Sequence, residues 1–148
     1  MRPAPFISMR DALASPDHLG AAIPGDSWLP WRVLLIAAMG EPLTDEERPL
    51  FTEMTGRDVE PLERVDELWG VVGRRAGKTR AMGTLGAYLA TCFDWAPLLA
   101  SGERGVLPIL AATQHQAGRA FQHIRGILEG SPEMSDLLDG EPTAELIR

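Results

Sequence analysis

A short apolar run, Leu68-Trp69-Gly70-Val71-Val72, leads without interruption into Gly73-Arg74-Arg75-Ala76-Gly77-Lys78-Thr79. Met82, Leu85, Leu89, Cys92 and Phe93 then follow at helical spacing. The order apolar run, glycine-rich basic turn, amphipathic helix constrains this chain more than any other feature. It is the order a phosphate-binding turn requires. Backbone N–H groups gathered at a turn and a helix N-terminus form a concave anion site, which the helix dipole strengthens. In such a turn Gly77 would let the backbone approach a phosphate without a Cβ clash. Lys78 would reach the terminal phosphates as a compact charge on a flexible stem, and Thr79 would offer a hydroxyl to Mg²⁺. Lys78 is the single lysine beside 13 arginines. A GC-rich genome explains the arginines, and the cradle explains the lysine, because a planar guanidinium does not fit there.

The surrounding pattern predicts the rest of the fold. The run 68–72 reads as a buried strand. Val106 to Ala112 reads as a second, with Pro108 as an irregularity inside it. Helices are expected near 78–94 and 114–129, the latter with Ala117, Ala120, Phe121, Ile124, Ile127 and Leu128 on one face. Ser131-Pro132 opens a short helix, and 144–147 reads as the start of another strand. Upstream, Ser8 suits the N-cap of a helix over 9–14. Pro30 and Gly40 bracket a helix over 30–39. Thr44 and Glu47 have the capping-box spacing for a helix over 44–55, which Gly56 closes. Strands alternating with helices argue for a parallel α/β sheet. The expected organisation is a helical lead-in over 1–65 and the first part of an α/β core over 66–148, with too few strands to complete a sheet.

Charge and composition exclude several functions. Net charge is −7, against a simple DNA-coating protein. The distribution is uneven: −5 over residues 1–65, +3 over 66–128 and −5 over 129–148. The basic centre is a local field in an acidic chain. The longest apolar run, Val33 to Met39, is far short of the ~20 residues of a membrane span. Pro3, Pro5, Arg10 and Asp11 interrupt any signal-peptide core, so secretion is not expected. Cys92 is the single cysteine. It allows neither an intrachain disulfide nor a zinc site built on cysteine pairs. His115 and His123, eight residues apart on one helix, lie roughly 80° apart around it and have no third ligand at metal-site spacing. Trp28 and Trp31 are either adenine-stacking or core and interface residues, the second being the commoner use of such side chains.

The turn departs from the strict G-x-x-x-x-G-K-[ST] pattern, since Val72 stands where the first glycine belongs and Gly73 follows one residue late. The variant G-R-x-x-G-K-[ST] resembles the Walker A motif of large terminase subunits, the ATP-driven motors that package DNA into tailed-phage and prophage heads. DSWLPWRVLLIAAMGEPLTDEER resembles that family's lead-in helices, LWGVVGRRAGKT its first strand and loop, and ILAATQHQAGRAFQHIRGIL its second strand and following helix. The resemblance spans about residues 26–148. It implies an incomplete three-layer P-loop NTPase fold in which Gly73, Arg74, Arg75, Ala76, Gly77, Lys78 and Thr79 bind ATP, with Mg²⁺ on the Thr79 hydroxyl. Arg74 takes the place of the family's candidate arginine finger. The implied partners are double-stranded DNA, the portal and the small terminase subunit, in the cytoplasm of a bacterial host. The sequence holds no apolar run ending in Asp-Glu, so by this resemblance the chain is expected to be the N-terminal, ATP-binding part of such a subunit, without the family's Walker B and nuclease domain. Asp94 lies on the helix after the loop and Glu129 and Asp139 follow helical patterns, so turnover by this chain would require Asp94, Glu129 or Asp136 to take the acidic position by another route. Two other functions stay open: a P-loop small-molecule kinase and a non-enzymatic prophage remnant. An incomplete sheet would also leave edges that favour self-association.

Overall fold

The computed structural model describes residues 3–144 and 146–148. Among the described residues six α-helices carry the fold: α1 (Met9–Ala14), α2 (Leu29–Ala38), α3 (Arg48–Thr55), α4 (Lys78–Thr91), α5 (Gln114–Gly130) and α6 (Pro132–Ser135). Single 3-10 turns, Asp26–Trp28 and Ala96–Leu98, precede α2 and follow α4.

Local chemistry sets most helix ends. The Ser8 hydroxyl accepts the Asp11 N–H at 3.0 Å and caps α1. The Glu41 carboxylate also accepts the N–H groups of Met9 and Arg10, placing an anion on the positive end of α1. Thr44 and Glu47 form the reciprocal box, 2.9 and 3.3 Å. They close a turn, and the regular helix begins one residue beyond it, at Arg48. Gly56 ends α3 in the left-handed region. Thr113 caps α5 through the Gln116 N–H.

One buried cluster gathers residues from nearly every element. Met9 and Leu13 of α1, Val33, Leu35 and Ile36 of α2, Phe51 of α3, Ala87 and Tyr88 of α4, Ile124 and Leu128 of α5, and Met134 of α6 all belong to it. Each fully buried large aliphatic side chain contributes about 1.5–3 kcal/mol relative to exposure. The most extensive helix pairing is α4 with α5. It depends on small residues. A Cβ on Gly83 would come within 3.0 Å of His123 Cβ, and one on Gly86 within 2.9 Å of Ile124 Cδ1.

The expected α/β sheet is not there. Among the described residues there is no β-strand, and the sole strand-like pairing is an isolated antiparallel bridge between Pro5 and Phe93. The chain is helical, so the three-layer P-loop fold and the parallel pairing of 68–72 are corrected. Both expected strands are irregular segments on the surface. Trp69 is 86% exposed and Val71 fully so, while Val106 and Leu110 are 84% and 90% exposed. Ala144, Leu146 and Ile147 form no strand, and Glu145 lies outside the described residues. The physical reason is that a strand exists through its ladder partner, whereas a helix satisfies its own backbone. Neither run has a partner, and Gly70, Gly73, Gly105 and Pro108 interrupt both. Apolar runs of this kind signal burial only where something covers them. Leu107 lies over Gly86, and Ile109 packs against the core cluster, so the second segment is partly seated on α4.

Candidate functional site

Residues 73–79 form a surface turn that opens α4. Arg75 has φ +61°, and Gly77 has φ +76° and ψ +4° as the helix N-cap. Two left-handed residues two positions apart fold the backbone tightly. No side chain caps the first N–H groups of α4, because glycine has none to offer. Lys78 is the first helical residue and Thr79 the second. The Lys78 ammonium folds back across the turn and donates to the Gly73 carbonyl at 3.5 Å. Arg74, Arg75 and Lys78 are exposed and Thr79 is half-buried. The turn therefore combines backbone donors at a helix N-terminus, an exposed ammonium and a hydroxyl. Those are the donors that phosphate and its Mg²⁺ need, and the set fits a nucleotide triphosphate.

What holds the turn is not a strand. Trp31 donates its indole N–H to the Ala76 carbonyl at 2.7 Å. The Trp28 ring lies against Gly77, where a Cβ would sit 2.6 Å from Cη2. In the first turn of α4, the Arg80 guanidinium donates to the carbonyls of Ala21 and Ala22 and stacks over the Trp28 ring, 5.4 Å from its centroid. Both tryptophans come from the start of α2 and the turn before it. Sequence reasoning left them between adenine stacking and packing. The structure gives them to the turn itself. No local pattern distinguishes Arg80 in the sequence, because its partners lie 58 and 59 residues away.

The acids considered for water activation lie elsewhere. Asp94 is beyond the far end of α4, which at ~1.5 Å per residue puts it about 20 Å from the turn. Its carboxylate accepts the Ala96 N–H. Glu129 pairs with Arg125 at 2.7 Å. Asp136 caps α6, and the Asp139 N–H donates to the Arg148 carbonyl. Among the described residues, no group of three or more His, Cys, Asp or Glu side chains could hold a metal. His115 is exposed at the start of α5, and His123 packs beside Gly83. A cleft of about 200 Å³ opens nearby, lined by His18, Arg80, His123 and Ser131 among others, but by no residue of 73–79. Cys92 is buried, and burial pushes its thiol up. No helix among the described residues is long and apolar enough to cross a membrane.

No family model matches the chain, and neither a curated protein nor a solved structure does.

Proposed function

We propose that residues 73–79 bind the phosphates of ATP with Mg²⁺, and that the chain is the ATP-binding part of a DNA-packaging motor of the large terminase type. One observation carries the reading. Gly77 stands in the left-handed region at the uncapped N-terminus of a 14-residue helix whose first two residues are Lys78 and Thr79. Backbone donors, ammonium and hydroxyl are thus presented together from one rigid element. Thr79 would hold Mg²⁺ through its hydroxyl, and the ion would supply positive charge at the phosphates. Lys78 would hold the terminal phosphates, and Arg74 would face the charge that develops there. On the same reading the partners are double-stranded DNA, the portal and the small terminase subunit, and the compartment is the bacterial cytoplasm.

The test separates binding from turnover. Titration of the purified chain with Mg·ATP should give saturable binding, and Lys78→Ala should weaken it about tenfold or more, because a charge-assisted contact is lost. Arg75→Ala should matter less. Equal affinity in wild type and Lys78→Ala would overturn the proposal. Steady ATP hydrolysis is expected near background, since Asp94, Glu129 and Asp136, the acids weighed for aligning water, are placed elsewhere in the fold. Turnover only with an added small-molecule acceptor would instead identify a kinase.

A further inference from the structure

Resting on that phosphate-binding reading, we propose that Trp31 is the positioning residue that aims the turn's backbone at the phosphate. The argument begins with the peptide between Ala76 and Gly77. Its carbonyl is held by the Trp31 indole at 2.7 Å. No cis peptide bond is present among the described residues. In a trans peptide the C=O and the following N–H point in opposite directions. Fixing the Ala76 carbonyl on the Trp31 side therefore turns the Gly77 N–H to the other side, away from α2. The Trp28 ring closes the α2 side of Gly77 so tightly that a Cβ would not fit. An anion has only the open side left, the one the N–H faces.

Trp31 is well placed for this. It lies in the first turn of α2, next to Pro30, and the helix is rooted in the core by Val33, Leu35, Ile36 and Ala37. A donor carried on a rooted helix holds its partner with less freedom than one on a loop. Arg80 adds a second strut between α4 and the segment before α2. With the Trp31 N–H engaged by the turn, its influence on a nucleotide should pass through the phosphates and not through the base.

The experiment uses two probes, Mg·ATP and Mg·tripolyphosphate, with wild type and Trp31→Phe. The variant keeps an aromatic ring and removes the donor. Affinity for both probes should fall by the same factor, about five- to tenfold, the worth of one positioned hydrogen bond. In ¹⁵N spectra the Gly77 amide should shift on adding tripolyphosphate to wild type and shift much less in the variant. A loss confined to ATP would place Trp31 on the base and overturn the inference. Unchanged affinity for both probes would also overturn it while leaving the phosphate-binding reading intact. A wild-type protein that binds neither probe overturns that reading and the inference with it. Should Trp31→Phe not fold, the wild type decides. The Trp31 indole N–H should exchange more slowly when tripolyphosphate is bound, and unchanged exchange would count against the inference.

Discussion

Glu60 is buried, yet it remains charged because its two oxygens are fully used. They accept the Leu43 N–H at 2.9 Å and both Nε and Nη2 of Arg48, at 3.3 and 3.1 Å. The Arg48 guanidinium is the larger cause and the Leu43 N–H the next, and together they pull the carboxyl down from 4.5 to about 2. Glu47, pinned by both Nη atoms of Arg10, is lowered in the same direction. A depressed folded-state value means that the stabilisation is present above the unfolded value and is lost as pH falls through the folded one. The thermal midpoint should therefore decline on acidification between pH 4.5 and about 2, and Glu60→Gln should flatten that decline while lowering the midpoint at neutral pH. A wild-type profile flat across this window would refute the assignment. The cluster shows what sequence could and could not reveal at this scale. Thr44 and Glu47 were legible as a box because their bonds span three residues. Glu60 was not, because its role depends on residues brought together by the fold. The same holds at the turn: Gly77, Lys78 and Thr79 are legible as neighbours, and the indole that grips Ala76 arrives from 45 residues away.

Helices were legible because their signals are local. Ser8, Pro30 and Gly56 mark boundaries that the structure keeps. The strands were misread because pairing is not local, and an apolar run does not specify what covers it. Between elements, the contact of α4 with α5 is the most demanding. Gly86 faces Ile124 Cδ1 and Leu107 Cδ2 at distances that leave no room for a branched side chain. Overpacking of a tight contact typically costs about 1–3 kcal/mol. Gly86→Val should lower the denaturation midpoint accordingly, whereas Gly118→Ala, on an open part of α5, should not. Equal effects of the two substitutions, measured by urea titration, would mean that α4 and α5 do not meet as described.

At the scale of the whole molecule, a helical body carries two irregular surface segments, 66–73 and 99–112, with apolar side chains turned outward. Exposed backbone of this kind admits proteases and also offers apolar surface for self-association. Brief trypsin treatment should cut first after Arg74, Arg75 and Arg104, and later after Arg10, whose side chain is engaged with Glu47. Mg·ATP should slow cleavage at Arg74 and Arg75 and leave Arg104 unaffected. Mass spectrometry of the fragments reads both results, and early cutting at Arg10 with 74 and 75 spared would contradict the arrangement.

The stapling of the chain's start to the far end of α4 has a consequence for synthesis on the ribosome. The buried Tyr88 hydroxyl donates to the Ile7 carbonyl, and the Phe6 N–H donates to the Cys92 carbonyl, each at 2.8 Å. Tyr88 is 81 positions downstream of Ile7. At translation speeds of roughly 5–20 residues per second, the Ile7 carbonyl waits on the order of 4–16 s before its partner is even made. Until then neither it nor the Phe6 N–H has the bond that α4 and Cys92 later supply. This is a chain whose opening segment is spoken for late, and whose nascent form is exposed to chaperones before its fold can close.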